Sequence, residues 1–262
     1  KEVLKADDLL SLSSLEGRVA QEAARNMVRI GQELAMRNRN LTRWMRWKAF
    51  SDELTITYAD GTAVDVDYDL DNSDGAMDRS HIITLSGSDC WDQPSTATPV
   101  SQVQDWVDYI ADDLGVDGHW LHMNKKTFRK LQVIDEIEGY LLDHYGPLKI
   151  PTAQAMQEIF DIQGGIVIEN GYWEDTTGTK YRFIGDGYVV VTAPYNVDDA
   201  PIAEMYDGPV VLVQGNELVV RNNPGMTAET YINPESKTKN IRVSTSRMPW
   251  VRREAFLYVR VY

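Results

Sequence analysis

The 262-residue sequence has a single cysteine, Cys90. One thiol excludes an intrachain disulfide and a zinc site built from cysteines, and it suits assembly in a reducing cytoplasm. Long apolar runs are absent too. No stretch reaches the roughly 18 consecutive apolar residues of a membrane helix, and Lys1–Lys5 lacks the apolar region of a secretory signal. Positive charge is scarce: 26 Lys and Arg stand against 40 Asp and Glu, a formal net charge of −14. That balance argues against a protein that grips nucleic acid by its phosphates. It leaves open a container whose wall repels the polymer inside.

Chemical motifs are equally sparse. There is no phosphate loop and no Gly-x-Ser-x-Gly elbow. Gly185-Asp186-Gly187 has no third glycine and opens no helix, so it reads as a turn before a strand. Asp67-Tyr68-Asp69-Leu70-Asp71-Asn72 spaces carboxylates as a calcium loop does. Asn72 stands where the loop needs glycine, and no Glu stands at its twelfth position. Strand alternation explains the same spacing. His119 and His122 point to opposite faces of the strand they occupy, and nothing near Cys90 would lower its pKa. Trp44, Trp47, Trp106 and Trp120 follow helical or alternating spacings and read as core or interface residues. No catalytic residue, cofactor site or metal site is expected.

Charge is present in blocks. Arg25, Arg29, Arg37, Arg39, Arg43, Arg46 and Lys48 face only Glu33, whereas between residues 52 and 117 a long series of acids, including Asp60, Asp65, Asp67, Asp69 and Asp71, faces only Arg79. After Glu235 the chain turns basic again, with Arg247, Arg252 and Arg253 among its cations. Blocks of opposite sign suit segments that meet other copies in a fixed register.

Residues 9–34 have mixed helical character, and Gly17 and Gly31 argue against one continuous helix. Residues 37–50 read as a short basic, aromatic helix or arm, with Trp44, Trp47 and Phe50 three apart. Residues 54–58 and 64–70 alternate around Ala59-Asp60-Gly61-Thr62, as a hairpin does. Its apolar side (Val64, Val66, Tyr68, Leu70) needs a partner surface that a lone ribbon cannot supply. Thr98-Pro99 opens the clearest helix, which Gly115 ends. A strand at 119–123 and helices at 124–131, 135–145 and 152–160 follow. Strands are expected at 166–169, 180–184, 188–192, 210–214, 217–221, 241–246 and 254–262. The fold class is α+β.

The ordered set of segments resembles the lambda-like major capsid proteins of tailed bacteriophages, which have the Hong Kong 97-type fold. The matching features are Arg43-Trp44-Met45-Arg46-Trp47 running into the hairpin, Trp91-Asp92 before the amphipathic helix, and Trp120-Leu121-His122-Met123-Asn124 with Thr127-Phe128. Ile166-Val167-Ile168 before Gly171-Tyr172, the Ile184–Val191 segment and Arg247-Met248-Pro249 complete the pattern, which spans roughly residues 37–262. The resemblance implies an N-terminal arm (1–49), an extended loop (50–82), a peripheral domain (83–133 and 235–262) with a spine helix at 100–114, and an axial domain (134–234). It implies a non-enzymatic subunit that assembles in the host cytoplasm. Hexamers and pentamers would form an icosahedral or prolate head enclosing double-stranded DNA without sequence-specific binding. Scaffolding, portal and decoration proteins are the further partners, and no membrane is involved.

On this layout, contacts between subunits are expected at Arg37, Arg43, Trp44, Arg46, Trp47, Tyr58, Asp60, Asp65, Asp67, Asp69, Arg247, Arg252 and Arg253. Some relatives crosslink through a Lys and an Asn, but this hairpin has no lysine. Two rival readings stand beside the head subunit: an encapsulin-type shell around an enzyme cargo, and a metal- or sugar-binding enzyme using the acidic hairpin.

Overall fold

Runs such as Val189-Val190-Val191 and Phe256-Leu257 carry apolar side chains on both faces of a strand, so a sheet built from them must be covered on both sides. The computed structural model describes residues 3–4, 17–51, 53–57, 63–75, 79–146, 151–175, 177–214, 217–222, 225–233 and 238–262. Its contacts divide the chain into two compact units, one of residues 44–172, 180–204 and 249–262, the other of residues 1–43, 173–179 and 205–248. Helix and sheet are mixed, as expected.

The larger unit is centred on a five-stranded sheet in the order Ile82–Thr84, Phe256–Arg260, Tyr188–Thr192, Trp120–Met123, Gly165–Ile168. The two outer pairings are parallel and the two inner ones antiparallel. Strand alternation sends Leu121, Met123, Val189, Val191, Leu257 and Val259 to one face. There they pack with buried residues of three helices, Pro99–Leu114, Asp135–Tyr145 and Ala153–Phe160.

The Pro99–Leu114 helix buries Val103, Trp106 and Ile110, and Trp106 stacks on the fully buried Trp91 at 5.9 Å between ring centroids. Gly115 ends it in the left-handed conformation at φ 74°. Thr98, the cap expected from sequence, makes no side-chain cap bond. The Val100 amide donates instead to the Glu136 carboxylate at 2.9 Å, so a neighbouring helix closes this terminus. Asn124 caps the Lys125–Leu131 helix by accepting from the Thr127 amide. Its own amide group faces the Ile184 and Gly185 carbonyls and the Asp186 carboxylate. One side chain thereby ties a helix start to the turn before the Tyr188 strand.

In the smaller unit, Val210–Gln214 pairs with Glu217–Arg221. Met226–Asn233 pairs with Thr238–Thr245 over eight residues, and Val3–Leu4 adds to the outer side of the latter strand. Gly215-Asn216, which the sequence marks as a tight turn between the first two of these strands, lies outside the described residues.

Three expectations are corrected. Residues 17–49 form one α-helix rather than separate pieces. Gly31 has nothing within 4 Å of where a Cβ would stand, so it weakens the helix without breaking it. The second hairpin strand ends at Asp67, because Asp69 takes a left-handed conformation at φ 52°. Met226–Asn233, which was not foreseen, is one of the two longest strands among the described residues.

The two glycine environments give opposite expectations. Gly31→Ala should stabilise the chain by about 0.5–1 kcal/mol through helix propensity. Gly187→Ala should destabilise it by more than about 1 kcal/mol, because φ is 82° and a Cβ would meet the Tyr262 carbonyl at 2.8 Å. Thermal unfolding of the two variants checks both signs.

Candidate intersubunit surfaces

The sheet face opposite the three helices carries His122, Val190, Thr192, Phe256 and Tyr258. It is covered by the end of the Gly17–Ala49 helix and the residues flanking the hairpin: Ala49, Phe50, Leu70 and Val251 are buried here, with Trp47 and Tyr68 packed against them. Phe50 meets Phe256 edge-on at 4.6 Å between centroids, and Trp47 meets His122 edge-on at 5.1 Å. The Tyr68 hydroxyl donates to the Pro249 carbonyl at 3.0 Å, and burial pushes its pKa up to about 12. Leu54, on the first hairpin strand, is fully buried. The apolar residues at the hairpin's root therefore find their partners inside the chain.

The acids after the hairpin are occupied as well. The Asp67 carboxylate accepts from the Asp69 amide at 2.7 Å, and that of Asp71 accepts from the Ser73 amide at 3.0 Å. Asp69 accepts from the Ser73 hydroxyl and the Asp74 amide through Oδ1, while Oδ2 takes the Arg253 guanidinium at 3.1 Å. Hydrogen bonding with the Asp74 side chain, then its amide and the Ser73 hydroxyl, with the Arg253 charge, holds the Asp69 carboxyl below its ordinary pKa. The spacing that resembled a calcium loop here closes turns. Among the described residues no group of three or more His, Cys, Asp or Glu is placed to hold a metal ion.

The remaining candidates divide by location. Arg37, Arg43 and Arg46 are exposed on the long helix, and Asp65 and Asp67 are exposed on the hairpin. Trp44 is half-buried against Tyr181 at 5.9 Å. Arg247 pairs with Asp207, and Arg252 lies 4.0 Å from Glu254. Tyr58 and Asp60 lie outside the described residues. Asp69 and Arg253, both expected to meet other copies, are paired with each other.

One cluster was missed from sequence. Arg79 lies with its cation 3.6 Å from the Tyr109 ring centre, donates to the Tyr109 carbonyl at 2.8 Å and pairs with Asp113 at 3.0 Å. His81 is buried between the Phe256 carbonyl (2.8 Å to Nδ1) and Asp113 (3.1 Å to Nε2). The Tyr109 hydroxyl donates to the Ser80 carbonyl. Together these clip residues 79–82 to the Pro99–Leu114 helix and the last strand. The only local signal was the lone Arg79 in an acidic block.

A family model for phage major capsid protein E matches residues 1–257. The chain belongs to the phage major capsid protein E family. Family membership points to a structural rather than an enzymatic role, to assembly with copies of itself and to a place in the virion. Among curated proteins none matches the sequence. Among solved structures the chain resembles a protein of Escherichia coli CFT073 described as a prophage capsid protein. The TM-score is 0.60 at 14% identity, over 96% of this chain and 70% of that one. It also resembles a phage-related protein of Bordetella bronchiseptica RB50, with TM-score 0.47 at 16% identity over 69% of this chain. The alignment takes in 53% of the Bordetella protein's length. No helix among the described residues is long and apolar enough to cross a membrane.

The covered sheet face makes the fold acid-sensitive. Burial lowers the His122 imidazole from 6.5 to about 4. The unfolded chain takes up this proton near 6.5 and the folded chain only near 4, so the stability is intact above 6.5 and is lost as pH falls between the two values. The loss is on the order of 3 kcal/mol. His122→Gln should flatten that part of a stability-against-pH curve measured by urea unfolding. An unchanged slope would assign the acid sensitivity to other groups.

Proposed function

We propose that this chain is the major head subunit of a tailed bacteriophage, with the Hong Kong 97-type fold. On this reading rings of five and six copies close an icosahedral or prolate shell around double-stranded DNA. The observation that carries it is the family match over residues 1–257, and a second supports it. A 33-residue helix and a hairpin are rooted side by side on one sheet face, with exposed charge along their outer parts. Elements anchored in the core at one end and charged beyond it suit contacts that must adjust between rings of five and six.

The four-part layout is proposed with its boundaries at 49, 82, 133 and 234; the two compact units of the described chain follow other cuts. Scaffolding, portal and decoration proteins, and assembly in the host cytoplasm, belong to the same proposal. Arg37, Arg43, Arg46, Asp65 and Asp67 are its exposed contact candidates. Asp69 and Arg253 instead hold the hairpin's root, and their effect on assembly is indirect.

Sedimentation and negative-stain microscopy of the expressed protein, alone and with a scaffold, test the reading. Closed particles or hexamers are expected, and a monomer that never assembles would overturn it. Particles that enclose a protein cargo instead of DNA would favour an encapsulin-type shell. A paired set of variants separates root from surface. Asp65→Lys should lower particle yield several-fold while leaving the unfolding midpoint nearly unchanged. Asp69→Ala should lower the midpoint itself. Equal behaviour of the two would remove the distinction.

A further inference from the structure

The long helix carries its cations in a line. Arg25, Arg29, Arg39, Arg43 and Arg46 fall at near multiples of 3.5 residues, which places them along one face over about 31 Å, and all five are exposed. The Pro99–Leu114 helix has the complementary feature. Opposite its buried Val103, Trp106 and Ile110, it exposes Asp105, Asp108 and Asp112. The two series have the same spacing when read in opposite directions. From Arg46 back to Arg39 the steps are three and four residues, and from Asp105 to Asp112 they are three and four.

Resting on the capsid reading above, we propose that the arginine face of the long helix docks antiparallel on the aspartate face of the Pro99–Leu114 helix of a second copy. Arg46 would stand opposite Asp105, Arg43 opposite Asp108 and Arg39 opposite Asp112.

Two observations favour a second copy as the occupant. The first is position. The long helix ends at Trp47–Phe50 on one face of the five-stranded sheet, and the Pro99–Leu114 helix covers the other. The sheet stands between Arg46 and Asp105, so they cannot meet within one chain. The second is competition for the acids. Asp69 is held by Arg253, Asp113 by Arg79 and His81, and Asp186 by Lys126. The Asp105 and Asp108 carboxylates stand on an exposed helix face, and the Asp112 side chain is 72% exposed even with Arg79 at 3.4 Å. Three aligned pairs would fix register and orientation between copies more than they add affinity.

The test is a charge swap. R39D/R43D/R46D and D105R/D108R/D112R should each cut particle yield at least tenfold at constant protein concentration. The six-site combination should recover it to within about threefold. Circular dichroism and the unfolding midpoint confirm that each variant is folded. R43D, D108R and their combination repeat the cycle with less perturbation and decide the matter where a triple variant does not fold. Raised salt should weaken wild-type assembly and spare that of a R39Q/R43Q/R46Q variant. Losses in both triples without recovery in the swap would overturn this docking and leave the capsid reading standing. Normal shells from the arginine variant with weakened binding of duplex DNA would assign the stripe to nucleic acid and overturn it too. Wild-type protein that forms no particle with scaffold would overturn both.

Discussion

Everything in the larger unit depends on covering the second face of its five-stranded sheet. Three helices shield the first face with an ordinary apolar core around Trp91, Trp106 and Ile110. The second face exposes Val190 and Phe256 in the middle of the sheet, and leaving such side chains in water costs about 1.5–3 kcal/mol each. The chain covers them with segments that lead elsewhere: the last turn of the long helix through Trp47 and Phe50, and the hairpin's exit through Tyr68 and Leu70. The two extended elements are thus part of the core at their bases.

This arrangement sorts the charges into two kinds. Asp69 with Arg253, and Asp113 with Arg79 and His81, are partly or fully withdrawn from water and bonded at several atoms, so each removal leaves a partner unsatisfied. They fix the loop's exit. Asp65, Asp105 and Asp108 stay exposed. In an isolated subunit such charges contribute little to stability. On the proposed reading their role lies in what approaches them. An acidic block in the sequence therefore holds structural clips and contact surface together, and only the fold tells them apart.

Periodic features were legible in the sequence. The Pro99–Leu114 helix, the Trp120 and Tyr188 strands and the hairpin pairing all follow from apolar spacing, with Pro99 and Gly115 at the helix ends. What failed was non-local. Glu136 supplies the cap that Thr98 does not, from another helix. Gly31 is tolerated because the helix around it is long and amphipathic enough to absorb a weak residue. Tyr68 and Leu70 continue the strand's alternation, yet a left-handed Asp69 between them turns the chain so that Leu70 enters the core. The candidate contact residues were partly legible for the same reason. A run of arginines announces an exposed helix face, but whether an aspartate is spent inside the chain depends on a residue some 180 positions away.

The same division bears on how copies hold together. Val190 and Phe256, in the middle of the sheet, are covered within the chain and are not available to drive association. Contacts made by exposed arginine and aspartate side chains are individually weak and are screened by salt. Weak contacts are an advantage in a closed assembly of many copies. A misplaced subunit can leave before its neighbours trap it, while the correct arrangement gains from many contacts acting at once. The net charge of −14 sharpens the choice: copies that meet acid to acid repel, and on the proposed docking the basic face of the long helix is where approach lowers the energy. On the proposed docking, register is then selected against a repulsive background.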